Sequence, residues 1–320
     1  MENTINSIVE KITNAKTIAI VCHNNPDGDT LGGGLALYKS LINLNKEAFV
    51  FCENGPSSKM SFMPLLDVIN IKSLSEYDLS ISVDCADFKT IGLPVEEFLK
   101  GKTKINIDHH KTNTRYADIN FIKGSAANCE NVFELLEQLN EECECIDDTI
   151  AQLLYIGLIT DSGNFSFSSV NSSTMSIASK LLKYNFNASK LSYILTKSKS
   201  KQSFDLHTKV LAKTRFFDEN KIAIITFFEQ DFEQTNTTSA ETEGCINEAL
   251  NVNGVQIAVA ITQLNEQNYK VSFRTKEQID ASIMAGIFGG GGHKNAAGCR
   301  VNGFYEDVID KILKICRDML

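Results

Sequence analysis

Acids and histidines gather at four places in this sequence, each directly after a run of β-forming residues or at the end of a helical one. His23-Asn24-Asn25-Pro26-Asp27-Gly28-Asp29 follows the run 17–22, Asp84 follows 79–83, and Asp108-His109-His110 follows 104–107. Asp161-Ser162-Gly163-Asn164 closes a helical pattern that begins after Asp147. Five carboxylates, Asp27, Asp29, Asp84, Asp108 and Asp161, could not all stay ionised at one place, because like charges a few ångströms apart drive one another to take up protons. Divalent cations remove that conflict. Two bring +4, and a set of carboxylates and imidazoles suits Mn²⁺ or Mg²⁺ better than a thiolate-preferring metal, with Zn²⁺, Co²⁺ or Fe²⁺ as further options. Two such ions about 3.5–4 Å apart lower the pKa of a shared water and draw charge from phosphoryl oxygens, which is the apparatus of phosphoester hydrolysis. Singly, each residue has an ordinary role, as a turn residue after Pro26 or a helix end at Asp161. Their coincidence at the ends of successive elements points to one shared site.

A second group lies near the C-terminus, in Gly289-Gly290-Gly291-Gly292-His293-Lys294-Asn295-Ala296-Ala297-Gly298. Consecutive glycines cost chain entropy, so either a structural need or a hairpin tip accounts for them. Backbone N–H groups without side chains can cradle an anion, with His293, Lys294 and Asn295 adding donors. Arg274, after Val271-Ser272-Phe273, can give a phosphate two parallel hydrogen bonds or stand solvated at a strand end.

The elements that must carry these groups alternate in the first half. The runs 17–22, 47–52, 79–83 and 104–107 read as strands, and 31–44, 125–139 and 147–159 carry apolar residues at helical spacing. Strands separated by helix-length segments mean crossovers and a parallel α/β sheet, whose carboxyl ends line one crevice. After lysine-rich helical sequence to Lys213 come strands at 221–227, 256–262 and 269–273 and a helix near 242–251, a smaller mixed α/β domain. For 320 residues, two domains are the expectation. The boundaries fall at 1–189, a helical Lys-rich linker over 190–207, and 208–320.

A net charge of −9 argues against a protein that coats long nucleic acid, since Lys and Arg neutralising phosphates supply most of such affinity. From Lys180 to Arg215, however, nine basic residues against Asp205 give +8, either a solvated helix pair or a positive wall beside a site for a small polyanion. No apolar run reaches the roughly 18 residues that span a bilayer, and Glu2, Glu10 and Lys11 interrupt any signal peptide, so a cytoplasmic protein is expected. Nine cysteines without a CxxC pair fit reduced thiols. Cys143 and Cys145, flanked by acids, read as an exposed turn before a soft-metal site. Gly28 to Gly34 reads G-D-T-L-G-G-G, which lacks the G-x-G-x-x-G of a nicotinamide-binding turn.

The four acid and histidine motifs resemble the signatures of the DHH phosphoesterases, and the segment ending His293-Lys294-Asn295-Ala296-Ala297-Gly298 resembles that of their type 1 associated C-terminal domain. The resemblance covers nearly the whole chain and, in length and layout, is to the bacterial nanoRNase group. It implies a parallel-sheet α/β/α domain joined by a helical linker to a smaller mixed-sheet domain, with the active site in the cleft between them. It implies one Mn²⁺ on His23, Asp27 and Asp84 and a second on Asp29, Asp84, His109 and Asp161, with Mg²⁺ or Co²⁺ as substitutes. Asp84 would bridge the ions, Asp108 would orient a ligand histidine, and His110 would face the scissile phosphate. Arg274, Gly290, Gly291, Gly292, His293 and Asn295 would hold the nucleotide. The implied activity is hydrolysis of short oligoribonucleotides to mononucleotides and of 3′-phosphoadenosine-5′-phosphate to AMP; the alternative is a cyclic di-AMP or pApA phosphodiesterase. Partners would be such small nucleotides, without long nucleic acid or membrane, and a homodimer is left open. Gly33, Thr90 and Asn128 depart from the family's usual serine, arginine and threonine or serine.

Overall fold

The structure, a computed structural model, describes residues 2–142, 145–276 and 278–320, with the side chains of Glu2, Asn3, Ser58, Asn140, Glu141, Glu142 and His293 left aside. Cys143, of the cysteine pair weighed above, lies outside these residues. The chain divides into two compact units, Met1–Ser198 and Lys199–Leu320.

The first unit runs α1 (Glu2–Asn14), β1 (Thr17–Val21), α2 (Gly28–Asn43), β2 (Glu47–Phe51), β3 (Tyr77–Val83), α3 (Phe88–Ile91), α4 (Val95–Leu99), β4 (Gly101–Asp108), β5 (Ile119–Ile122), α5 (Asn128–Glu142), α6 (Asp148–Asp161), α7 (Ser172–Leu181) and α8 (Ala188–Thr196). Its five strands lie in the order β2-β1-β3-β4-β5, every pair parallel. Both faces of such a sheet are covered, which is why β1 reads as the unbroken apolar run Ile18-Ala19-Ile20-Val21 rather than as an alternation. Ile150, Leu153, Leu154, Ile156 and Leu158 of α6 are fully buried, each contributing about 1.5–3 kcal/mol of transfer free energy. The glycines of α2 answer to packing: a Cβ on Gly32 would lie 2.5 Å from the Leu153 carbonyl oxygen, and one on Gly28 2.6 Å from the Thr160 side chain. Two helices with these residues can approach only if one of them is bare there.

The second unit runs α9 (Lys201–Leu211), β6 (Arg215–Phe217), β7 (Ile222–Phe227), α10 (Glu229–Thr235), α11 (Cys245–Leu250), β8 (Ile257–Asn265), β9 (Asn268–Thr275), α12 (Ala281–Gly286), β10 (Gly291–His293), β11 (Ala296–Asn302) and α13 (Tyr305–Met319). Its sheet order is β10-β11-β9-β8-β7-β6, antiparallel except for the parallel pair β7 and β8. The segment expected to link the domains is shared between the two units. Leu191 and Leu195 of α8 join the first core, and Leu206 of α9 joins the second. Buried apolar residues four apart, Leu191 and Leu195 on α8 and Leu206 and Val210 on α9, give each short helix a face that one core claims. No helix among the described residues is long and apolar enough to cross a membrane. The eight described cysteines are buried and in no disulfide, including Cys145, which lies in the core where an exposed turn was expected.

Candidate active site

Parallel strands deliver their C-terminal residues to one edge, and that is where the acids stand. Asp27 begins the site as the N-cap of α2, its Oδ1 accepting from the N–H groups of Asp29 (2.9 Å) and Thr30 (3.1 Å). Burial works against its charge, but His23 and those two amides outweigh burial and hold the carboxyl below its ordinary value. Asp29, in the first turn of α2 and fully buried, accepts from the N–H of Asn128 (2.5 Å) and of Cys129 (2.8 Å) at the start of α5. Asp84 follows β3 at φ +60°, a left-handed conformation that non-glycine residues rarely adopt without a surrounding that enforces it. That conformation turns the side chain from the strand into the cluster.

Asp84 sits at the centre. His23 Nε2 is 3.6 Å from its Oδ2, while His109 Nε2 and His110 Nδ1 are 3.4 and 3.6 Å from its Oδ1. His23 Nε2 also lies 3.8 Å from Asp27, and His109 Nε2 lies 3.6 Å from Asp161. Three overlapping groups meet here, each with ligand atoms within 4.8 Å: His23, Asp27 and Asp84; Asp29, His109 and Asp161; and Asp84, His109 and His110. Asp84 Oδ1 is buried with no hydrogen-bond partner among the described residues, an arrangement that is costly for a carboxylate unless a cation completes it. Burial, then the charges of Asp29, Asp27, Asp161 and Asp108, push Asp84 well above the carboxylate range, and burial with Asp29 pushes Asp161 up to about 8. His109 is driven the other way from what burial alone would do: Asp29 and Asp161 raise it. Its Nδ1 faces the Ser125 carbonyl at 3.2 Å, so Nε2 carries the lone pair toward the carboxylates. These residues fit divalent cations.

The carboxylate expected to orient a ligand histidine meets His110. Asp108 Oδ1 receives the His110 Nδ1–H at 2.7 Å, and Asn113 Nδ2 donates to Oδ2 at 2.6 Å. Burial opposes ionisation here too, but the His110 bond and charge and the Asn113 bond keep Asp108 below its ordinary value. Asn113 was not singled out from the sequence; an amide three residues past Asp108-His109-His110 was the available signal.

The three departures from the family pattern have local explanations. A Cβ on Gly33 would lie 3.0 Å from Val83 and 3.3 Å from Val132. Thr90 closes a capping box with Asp87, and its carbonyl accepts from Asn24 N–H at 2.7 Å. Asn128 Nδ2 ties α5 to the Ile107 carbonyl at 3.1 Å.

In the second unit, Arg274 of β9 pairs in register with Ala296 and Ala258, and its Nη1 donates to the Phe273 carbonyl at 3.0 Å. No carboxylate lies within 4.0 Å of it among the described residues, and burial pulls its guanidinium below the ordinary value. The glycine run is not the open amide cradle expected. The N–H groups of Gly289 and Gly290 are spent on the carbonyls of Gly286 (2.9 Å) and Ala285 (3.0 Å), because the run first ends α12 and then enters β10. Gly291 and Gly292 pair with Gly298 and Ala297. Asn295 Nδ2 donates to the Thr275 carbonyl at 3.1 Å. The His293 side chain lies outside the description. The lysine-rich segment is largely neutralised rather than a bare positive wall: Lys180 meets Glu137, Lys199 Glu248, Lys201 Asp205, Lys209 and Lys213 Asp231, and Arg215 Glu306, all within 4.0 Å.

Against known proteins, residues 17–158 match the DHH family, N-terminal domain, and residues 219–320 match the DHHA1 domain. A Streptococcus mutans protein named probable bifunctional oligoribonuclease and PAP phosphatase NrnA is 30% identical over 302 residues, 91% of this chain and 92% of its own. The chain belongs to the DHH family of phosphoesterases. Two further DHH relatives, from Thermus thermophilus and Bacillus subtilis, are named bifunctional oligoribonuclease and PAP phosphatase NrnA. They are 29% and 25% identical, covering 95% and 96% of this chain and 90% and 95% of theirs. An exopolyphosphatase-related protein of Bacteroides fragilis shares the fold, with a TM-score of 0.92 at 23% identity over 99% of this chain and 96% of that one. DHH phosphoesterases are metal-dependent hydrolases, and the carboxylates and imidazoles around Asp84 could hold a metal ion.

Proposed function

We propose that this protein hydrolyses short oligoribonucleotides to mononucleotides and removes the 3′-phosphate of 3′-phosphoadenosine-5′-phosphate, with two Mn²⁺ as cofactors. The observation that carries the reading is the unsatisfied, buried Asp84 Oδ1 between two histidine and aspartate groups. His23, Asp27 and Asp84 would hold one ion, and Asp29, Asp84, His109 and Asp161 the other. When bound, the two ions supply Lewis acidity and a water acidified to near neutral pH, as in other paired-metal hydrolases. Asp27, as an N-cap, and Asp29, on two backbone amides, present fixed oxygens that need no reorganisation during the reaction. His110, held by Asp108 through its Nδ1–H, would turn Nε2 to the scissile phosphate and, as the imidazolium, give the Nε2 proton to the leaving oxygen, keeping the Nδ1–H bond to Asp108. Arg274 and the strand edge at Gly291 take a terminal phosphate of the nucleotide. The names borne by three relatives at 25–30% identity support the choice of substrate.

The test is a substrate panel with Mn²⁺: a 5′-phosphorylated RNA dinucleotide such as pApA, longer oligomers, 3′-phosphoadenosine-5′-phosphate and cyclic di-AMP. Mononucleotide release from oligomers of two to five residues together with AMP from the bisphosphate is the expected result. Turnover of cyclic di-AMP or pApA alone would transfer the reading to a dedicated dinucleotide phosphodiesterase.

A further inference from the structure

We propose that Asn113 is a positioning residue that sets His110, acting through Asp108; this rests on the reading of His110 as the proton donor at the phosphate. Asn113 lies just past β4, and its Nδ2 reaches three oxygens: Asp108 Oδ2 at 2.6 Å, Asn106 Oδ1 at 2.7 Å and the Cys85 carbonyl at 3.2 Å. Its Oδ1 accepts the Arg115 N–H at 2.7 Å, so the amide cannot be turned round: the backbone donor takes the oxygen and the NH₂ group faces Asp108. Its own N–H donates to the His110 carbonyl at 3.2 Å, which ties the same residue to the backbone of the histidine it serves.

Two oxygens in this network differ in how much they depend on Asn113. The Cys85 carbonyl, which follows the left-handed Asp84, has two other donors, Asn106 Nδ2 at 3.2 Å and the Tyr116 hydroxyl at 3.1 Å. The Asp84 turn therefore stays held without Asn113. Asp108 Oδ2 has, among the described residues, only Asn113, while Oδ1 is committed to His110. Asp108 is fully buried, so water does not replace a lost donor there. Without Asn113 the carboxylate either swings its unpaired oxygen toward another donor or is left short of one, and in both cases the 2.7 Å bond that fixes the tautomer and plane of His110 loosens. Asn106 is engaged with Ser82 and Tyr116, at 2.9 and 3.1 Å, and cannot substitute.

Four proteins test this: wild type, Asn113→Ala, His110→Ala and the double variant, assayed for kcat and KM on an RNA dinucleotide with Mn²⁺. Asn113→Ala is expected to lower kcat about 10–100-fold, the usual effect of losing such an outer partner, with KM little changed. In the His110→Ala background the same substitution should change kcat by well under this factor, because residues acting in series are not additive. Equal losses in both backgrounds, or a loss confined to KM, would overturn the proposal. A second readout needs no turnover. In ¹⁵N-histidine-labelled protein the His110 Nδ1–H resonance, shifted downfield by Asp108, should weaken or move in Asn113→Ala while that of His109, on the Ser125 carbonyl, stays. An unchanged His110 signal sinks the role of Asn113. Absent phosphoester cleavage by the wild type, with the His110 signal responding as expected, would sink only the functional reading.

Discussion

The glycine run separates a structural requirement from a functional one at single-residue resolution. A Cβ on Gly290 would collide with the Gly298 carbonyl and lie 2.5 Å from Cys299 Cβ and 2.8 Å from its Cα. These are backbone or backbone-fixed atoms of the paired strand, so relief requires the β10–β11 hairpin to open. Gly292 combines a φ of +144° with a Cβ position 2.6 Å from the Ala296 oxygen and the Ala297 Cα. Forced overpacking costs about 1–3 kcal/mol, and a side chain in a left-handed conformation adds about 1–2 kcal/mol. Gly290→Ala should therefore cost about 1–3 kcal/mol and Gly292→Ala about 2–5 kcal/mol, or on the order of 5–15 °C in the unfolding temperature of a unit of this size. A Cβ on Gly291, between them, would meet no atom of the described residues within 4 Å, and Gly291 has no positive φ. An alanine there introduces no strain and, in a strand, is favoured over glycine by roughly 0.5–1 kcal/mol. Thermal unfolding by calorimetry and KM for an RNA dinucleotide, measured on all three variants, form the assay. Gly291→Ala should keep or slightly raise the unfolding temperature and, if the bare edge takes the substrate's phosphate as proposed, raise KM. If Gly291→Ala unfolds as early as its neighbours, or binds substrate as well as wild type, the assignment of that edge is refuted.

Three further outcomes follow from the cluster. In metal-free protein Asp161 titrates near 8 against an ordinary 3.8, and Asp84, Asp29 and His109 are raised as well. The folded state then binds more protons than the unfolded chain, so stability should fall as pH rises from 6 to 8, and the slope should flatten when Mn²⁺ replaces the protons; an unfolding temperature that rises over this range without metal would contradict it. Gly157→Ala places a Cβ 2.8 Å from Asp29 Oδ1 and against Cys129, so Mn²⁺ affinity by isothermal titration should drop together with about 1–3 kcal/mol of stability; unchanged affinity would show that Asp29 is not confined as described. The buried thiols of Cys22, Cys52 and Cys129, each pushed up by burial, should resist a thiol reagent in native protein and react only on unfolding; fast labelling at these three sites would contradict their burial.

The acids of the site were legible because a parallel sheet converts position in sequence into position in space. Whatever follows β1, β3 and β4 must reach the same edge, so the sequence alone groups His23, Asp84 and Asp108. Strand ends do not say which way a side chain turns, and the left-handed Asp84 backbone had no sequence signal of its own. Nor does adjacency reveal pairing: His109 and His110 are neighbours, yet one is oriented by a carbonyl and the other by Asp108. The strand β5 and the helices α1 and α13 went unread, β5 being only four residues long and α13 amphipathic on sequence past the last motif. The positive charge of 180–215 was read without its partners, because Glu137, Asp231 and Glu248 lie far from it in sequence and meet it only in the fold.

The most direct test of the account is the release of AMP from pApA by metal-stripped protein to which Mn²⁺ is returned, run beside Asp84→Asn. No AMP is expected without metal, with turnover restored by Mn²⁺ and, in an Asp84→Asn variant that still folds, a loss of about 100-fold or more if Asp84 is the ligand the two ions share, as proposed. AMP release that is indifferent to metal, or an Asp84→Asn rate equal to that of the wild type, would contradict it.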